Sequence, residues 1–212
     1  MQSKRAVQVI AREKELLADD PFDAGHELTH HELVVSNILW IVEQEHLEDR
    51  VDIDSLLIAA WYHDYKRNQD ELCDATLTDV LQGVGYTNPE IEKILAIKNS
   101  HSFGNENHES VESQILFDAD KIEYVHYDPR YVLVSQAVAS GKMSNETFQK
   151  YLKAFEDRIV KVSEMLHFES SRERFYEYLT QSREWLVSTN PVAGEWRPLL
   201  PSIDTVINAR HS

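Results

Sequence analysis

The amino-acid sequence predicts an all-α protein, and two observations lead to this prediction. The 212 residues include 6 glycines and 6 prolines, a composition that suits a helical chain better than a sheet protein rich in turns. Apolar residues also recur at helical spacing along almost the whole chain, as they do on the buried side of amphipathic helices. No segment is predicted to be a strand.

The apolar spacing places the helices in chain order. We expect Asp54 to cap the helix that leads to His63, and Asn88 and Pro89 to begin a later one, since Asn favours the cap and Pro the first turn. Ser144 is expected to begin a C-terminal pair. The apolar positions that define the helices are Val7, Ile10, Ala11 and Leu17; Leu33, Val34, Ile38, Ile41 and Val42; Ile91 and Ile97; Val111, Ile115, Leu116, Ala119 and Ile122; Phe148, Leu152, Phe155, Ile159, Val162 and Leu166; and Phe175, Leu179 and Leu186.

The chain is predicted to form one domain, residues 1–212, because no repeat, low-complexity segment or linker divides it. Within this domain, residues 142–189 are predicted to be packing helices. Residues 190–212 contain Pro191, Pro198 and Pro201 and are predicted to be an extended tail, lying against the body or partly loose.

Composition and charge exclude some classes of function. The chain has 21 Lys and Arg against 37 Asp and Glu, a formal charge of −16 and a pI near 5.0, which opposes a large nucleic-acid surface. No run approaches the ~18 apolar residues of a membrane span, so no membrane partner is expected. The single cysteine, Cys73, cannot form an internal disulfide, and the default expectation is a cytoplasmic location.

An apolar run over residues 56–62 ends in a histidine–aspartate pair, His63 and Asp64. On a helix, both side chains lie on the same side as the apolar residues Leu57 and Ala60. Burying an imidazole and a carboxylate is costly unless something compensates them. A divalent cation would do so, because neutral imidazole and ionised carboxylate are both metal ligands.

Two further segments place potential ligands on apolar helix faces. His30 lies four residues before Val34, whereas His31 is turned by about 100° and is expected to face outward. In a later helix, Asp118 and Asp120 both follow apolar residues at helical spacing. Aspartates are rarely buried without a partner. Three helices that each offer an inward acid or histidine favour a metal site over separate buried polar groups.

The order of these residues resembles the HD superfamily of metal-dependent phosphohydrolases, particularly its small bacterial members. That family has a histidine early in one helix, a His-Asp pair ending another, and a later aspartate, often within Asp-Ala-Asp. The match runs through Gly-His-Glu-Leu-Thr-His at 25–30, the pair at 63–64, His-Ser-Phe at 101–103 and Asp-Ala-Asp-Lys at 118–121. It covers residues 20–126, where the metal-site core is expected.

The resemblance implies a helical HD-domain fold with additional C-terminal helices, and a divalent metal ion, Mn, Mg, Co, Ni or Fe, whose identity and number per site the sequence leaves open. The implied ligands are two histidines and two aspartates: His30, His63, Asp64 and Asp120. Asp118 is the alternative for the last ligand. The resemblance also implies catalytic roles for His63, Asp64 and Asp118, with Asp118 and His26 orienting ligands or bound water.

The implied activity is hydrolysis of a small phosphate ester, nucleotide or pyrophosphate-containing metabolite by a metal-activated water. A phosphorylated substrate needs cationic or hydrogen-bonding partners, and four candidates flank the site segments: Lys66, Arg67, Lys98 and His101. Relatives that cleave nucleoside monophosphates or the guanosine alarmone carry an acid three residues beyond the His-Asp pair. This chain has Arg67 there, which argues against both substrates.

Two other functions stay open. One enzyme class of the same superfamily uses two irons to oxygenate its substrate and has extra histidines before the last aspartate. His101 and His108 lie in that interval, but their spacing of 7 residues is short for the oxygenase pattern. The other alternative is a metal-bearing domain that senses a nucleotide without turnover. The sequence leaves the oligomeric state open, a homo-oligomer included.

Overall fold

The computed structural model describes residues 2–19, 28–65, 69–104, 108–127, 130–190 and 192–210, and the regular structure of these residues is entirely helical. The all-α prediction is confirmed over this part of the chain. None of the described helices is long and apolar enough to cross a bilayer. The helices are α1 Lys4–Asp19, α2 Leu28–Gln44, α3 Ile53–Tyr62, α4 Asp70–Gly83, α5 Asn88–Asn99, α6 Val111–Tyr124, α7 Arg130–Ala139, α8 Asn145–Met165, α9 Glu169–Val187, α10 Ala193–Trp196 and α11 Leu200–Ala209, with a 3-10 turn at Arg197–Leu199.

The chain groups into two compact units, residues 1–120 and 121–212. The first unit contains α1 to α5 and α6 as far as Asp120, and the second contains the remaining helices. The expectation that residues 1–212 form one domain with a core at 20–126 stays a prediction. Each unit is described separately.

Helix α3 is the centre of the first unit. It packs against α1, α2 and α5, and every residue from Ser55 to Tyr62 is buried. Because α3 is buried on all sides, its sequence is continuously apolar. A helix with one face in solvent would have polar residues at helical spacing on that face. His63 continues the helical backbone as the C-cap residue, so α3 delivers its imidazole into the interior.

Two helix caps differ from their predicted positions. Asp52 caps α3, because its Oδ1 accepts the backbone N–H of Ser55 at 3.2 Å. The predicted cap, Asp54, lies in the first turn and instead accepts the backbone N–H of residue 3, at 3.1 Å. Helix α5 is capped by Thr87, and Asn88 is its first residue. Local propensity allows either of two nearby polar residues to cap a helix, and tertiary contacts determine which of them does so.

The α5 cap is joined to α1 through Glu90. Its carboxylate accepts the backbone N–H of Thr87 at 2.7 Å and a guanidinium N–H of Arg5 at 2.7 Å. The Arg5 hydrogen bond is the largest of the effects that lower the pKa of Glu90 to about 2. The ionised carboxylate therefore stabilises the folded state.

We expect Glu90→Gln to reduce stability at neutral pH and to lose that effect in acid. Since the folded pKa of Glu90 lies below its usual 4.5, the stabilisation is complete above pH 4.5 and is lost as the pH falls towards 2. Melting temperatures of variant and wild type should therefore converge between pH 4.5 and 2. The control is Glu15→Gln, which changes an exposed acid paired with Arg12. If the melting temperatures of Glu90→Gln and wild type differed by the same amount at every pH, this account would be contradicted.

The second unit has an aromatic core. The indole of Trp196 is fully buried and stacks on Tyr131, with ring centroids 4.2 Å apart, and its Nε1–H donates to Ser135 Oγ at 2.7 Å. The buried faces of α8 and α9, which include Phe155 and Phe175, contribute further aromatic rings. These two helices lie in the range predicted for packing helices, and Ser144 caps α8 as predicted.

The predicted extended tail at residues 190–212 is wrong for residues 193–209, which are helical. Trp196 and Ile203 of this segment are fully buried, and α11 packs against α8 and α9. Pro198 and Pro201 misled the prediction. Both stand in the first turn of a helical segment, where the missing N–H of proline would have no partner in the helix and costs nothing.

Candidate metal centre

The four residues predicted as metal ligands lie together in the first unit. His30 comes from α2, His63 and Asp64 from the end of α3, and Asp120 from α6. One ligand atom from each lies within 4.8 Å of the others. Helix packing thus gathers residues that are up to 90 positions apart in the chain.

The distances within this group match those around one bound ion. His30 Nε2 and His63 Nε2 are 3.0 Å apart, and Asp64 Oδ2 is 3.5 Å from each nitrogen. Asp120 Oδ1 is 3.7 Å from His30 Nε2 and 3.8 Å from His63 Nε2. Ligand atoms about 2.1 Å from one metal are separated by about 3.0 Å at right angles and about 4.2 Å across the ion.

The chemistry of the group also suits a divalent cation. The Nδ1–H of His63 donates to the backbone oxygen of Ala60 at 2.6 Å, which directs the lone pair of Nε2 towards His30 and the carboxylates. This carbonyl contact is the usual way in which a metal-binding histidine is held in the required tautomer. With both carboxylates ionised and both imidazoles neutral, the group would have a formal charge of −2, which a divalent cation would offset.

Burial favours the metal-binding form of His63. Desolvation lowers the pKa of its imidazole, although the neighbouring Asp64 carboxylate acts in the opposite direction. The neutral ring is therefore favoured near neutral pH. Only the neutral ring can offer Nε2 to a cation, so burial favours the protonation state that metal binding requires.

His31, expected to face outward, is fully buried. Its ring stacks on Trp61 with centroids 6.0 Å apart, and its Nδ1 lies 3.4 Å from the oxygen of Ala60. Burial lowers its pKa well below the usual value, and His63 and His30 add to this effect. His31 is nevertheless outside the group of four, so the structure selects His30 as the ligand from α2.

Solvent reaches the group from its carboxylate side. The side chains of Asp64 and Asp120 are 11% and 10% exposed, whereas those of His30 and His63 are 2% and 0% exposed. His101 borders the same side, with its side chain 11% exposed and its Nε2 3.6 Å from Asp64 Oδ1. The accessible side of the group is therefore the one formed by the aspartates and His101.

The loop after α5 holds His101 in place. Its Nδ1–H donates to the oxygen of Lys98 at 2.5 Å, which leaves Nε2 on the side of Asp64. His108 supports the loop, because its Nε2–H donates to the oxygen of Ser100 at 2.9 Å. Within the described residues, His101 adjoins the group of four and His108 does not belong to it.

The surroundings of Lys98 do not favour the predicted contact between its side chain and a substrate phosphate. Its ammonium group lies 3.0 Å from Asp74 Oδ1, and its side chain is only 2% exposed. A buried lysine needs a nearby carboxylate to compensate its charge, and α4 supplies one. The contribution of Lys98 to the site is its backbone oxygen, which holds His101.

The other predicted site residues are placed as follows. Asp118 is fully buried on α6 but is not one of the four clustered residues, and its catalytic role stays a prediction. The structure thus favours Asp120 as the last ligand. His26, Lys66 and Arg67 lie outside the described residues.

Sequence reasoning missed Asn37, a buried polar residue on the same helix as His30. Its amide Nδ2 donates to the backbone oxygen of Ala119 at 3.1 Å, which links α2 to α6. The available signal was its position seven residues after His30, on the same face of an apolar helix.

No family model matches the sequence, and no curated protein matches it significantly. Solved structures with a similar fold include two crystal structures of bacterial proteins. A protein from Lactobacillus plantarum matches with a TM-score of 0.67 at 18% identity, over 87% of this chain and 95% of its own. A protein from Listeria innocua matches with a TM-score of 0.59 at 17% identity, over 85% of this chain and 92% of its own. At these identities the similarity establishes a shared helical fold and nothing about chemistry.

Proposed function

We propose that the protein is a metal-dependent phosphohydrolase of the HD type. Its substrate would be a small phosphate ester, a nucleotide or a pyrophosphate-containing metabolite. The observation that carries the proposal is the buried group of two histidines and two aspartates, whose order along the chain resembles that of the HD superfamily.

The residues of the group have distinct tasks in this proposal. His30, His63, Asp64 and Asp120 would hold the ion. A bound divalent ion would draw charge from the phosphoryl oxygens and lower the pKa of a coordinated water. Two imidazoles in the donor set favour Mn, Fe, Co or Ni over Mg, which prefers oxygen ligands.

His101 would bind the substrate on the exposed side of the group. Its Nδ1–H is engaged by the oxygen of Lys98, and its Nε2 lies 3.4 Å from Ser102 Oγ on the side of Asp64. The imidazolium form of the ring would donate Nε2–H to a phosphoryl oxygen or to the leaving group. Asp64 has one carboxylate oxygen near the histidine ligands and the other near His101. Its outer oxygen could therefore hydrogen-bond and orient a water molecule between the group and the substrate.

The di-iron oxygenase alternative has less support. A second iron would need further protein ligands, and the Nε2 of His108 is directed to a backbone oxygen of its own loop.

The expected partner remains a small phosphorylated molecule, and the proposed location is the cytoplasm.

Metal analysis and a phosphate-release assay together test the proposed function. We expect about one metal ion per chain after loading with manganese or cobalt, and phosphate or pyrophosphate release from at least one member of a nucleotide and pyrophosphate panel. Removal of the metal by a chelator should abolish the release, and readdition should restore it. Two irons per chain without phosphate release would favour the oxygenase. One ion with no turnover but tight nucleotide binding would favour the sensor.

A further inference from the structure

Asn37 has a buried amide side chain, and the buried residues around it on α2 are apolar. Its exposed fraction is 1%, and the neighbouring Val34, Ile38 and Ile41 are fully buried. It lies seven residues after His30, close to two helical turns, so both side chains leave the same side of α2. Burying an amide destabilises a protein unless it is hydrogen-bonded, and packing alone would favour an apolar residue here.

The amide is bonded to a specific part of α6. Its Nδ2–H donates to the oxygen of Ala119 at 3.1 Å. That oxygen belongs to the peptide group that connects Ala119 to Asp120. A carbonyl oxygen has two lone pairs, so it can accept this bond in addition to the one within the helix. The side chain of one helix therefore holds the backbone of another beside a candidate ligand.

We infer that Asn37 is a positioning residue, which sets the distance between the metal ligands His30 and Asp120. Apolar side chains tolerate small sliding and rotation of packed helices, whereas a hydrogen bond restrains both direction and register. One helix carries His30 and Asn37, and the other carries Ala119 and Asp120. Their bond keeps Asp120 Oδ1 near His30 Nε2, a separation of 3.7 Å. The inference rests on the metal centre of the proposed function and not on the reaction.

Two substitutions separate the hydrogen bond from the volume of the side chain. Asn37→Ala removes the donor, and Asn37→Asp keeps the shape but places a carboxylate against the oxygen of Ala119. The matched control is Ser182→Ala in the second unit. Ser182 is also fully buried, and its Oγ–H donates to the backbone oxygen of Val125 at 2.6 Å.

Manganese affinity, measured by competition with a metal-sensitive dye, is the principal readout. We expect both Asn37 variants to bind manganese about 10- to 100-fold more weakly, the range found when partners that orient metal ligands are removed. Ser182→Ala should bind it as wild type does. Melting temperatures of the metal-free proteins show how much folding stability each variant loses. The visible spectrum of cobalt-loaded protein should change for the Asn37 variants only, because it reports ligand geometry.

The outcomes distinguish this inference from the proposed function. Wild-type metal affinity in a folded Asn37 variant would overturn the inference and leave the metal centre intact. Equal losses of affinity in the Asn37 variants and in Ser182→Ala would overturn it too, since the effect would then follow general stability. A wild-type protein that binds no metal would overturn both. Metal binding without phosphate release would overturn only the proposed reaction.

Discussion

Replacing His63 and Asp64 together with alanine is expected to remove the bound metal and to reduce phosphate release by more than about 100-fold. Partners that merely orient ligands already change metal affinity by up to about 100-fold, and these two residues are proposed to be ligands. The double substitution leaves only His30 and Asp120 of the four-residue group. Two donors do not hold a divalent ion against competition from water and buffer. Metal content after dialysis and phosphate release should therefore fall together.

The control for this experiment is His46→Asn. His46 is exposed after α2, with a φ of 53° that asparagine adopts more easily than most residues. The control should keep both metal and activity. Wild-type metal content in the double variant would show that the four-residue group is not the metal site.

Replacing Arg130 with methionine should cause a large loss of stability. Its guanidinium Nη2 lies 2.6 Å from Glu123 Oε2 within the second unit, and the two side chains are 4% and 1% exposed. Glu123 also contributes to raising the pKa of Arg130 well above its usual value, although burial opposes this. The variant leaves a buried carboxylate without its cation, which typically costs about 3–5 kcal/mol. Urea unfolding followed by circular dichroism would measure the loss.

An exposed ion pair provides the matched control for Arg130. Lys150 lies 2.7 Å from Glu146 one helical turn away, and the two side chains are 75% and 79% exposed. Lys150→Met should leave the unfolding midpoint almost unchanged, because solvent screens such pairs. The double variant Arg130→Met with Glu123→Gln should recover part of the lost stability, since it removes the uncompensated charge. Equal unfolding midpoints for Arg130→Met and Lys150→Met would contradict the assigned role of the buried pair.

The sequence alone determined the helical fold class and a set of candidate ligands, in which Asp118 and Asp120 both stayed open as the last one. Helical periodicity is a local property, so apolar spacing identifies helices without knowledge of their neighbours. His63 and Asp64 were recognisable because polar residues directly followed a continuous apolar run. His30 and Asp120 were found from the resemblance to the HD pattern, and their meeting in space supports the same choice.

Only the tertiary structure decided which polar residues are buried and what they bind. His31 faces the interior because α3 covers it, and Lys98 is paired because α4 brings Asp74 to it. Asn37 and Arg130 acquire their partners in the same way. Each of these results depends on which helix faces meet, and local spacing carries no information about that.

The C-terminal segment shows the same limit. Its prolines are compatible both with an extended tail and with the first turns of helices. The burial of Trp196 and Ile203 against other helices makes the helical form the stable one. The sequence by itself thus determined the helical class and the candidate His and Asp residues. Packing decided which of these residues cluster, and it also decided the caps of α3 and α5, the buried ion pairs and the C-terminal helices, because the energies of these features come from contacts between distant segments.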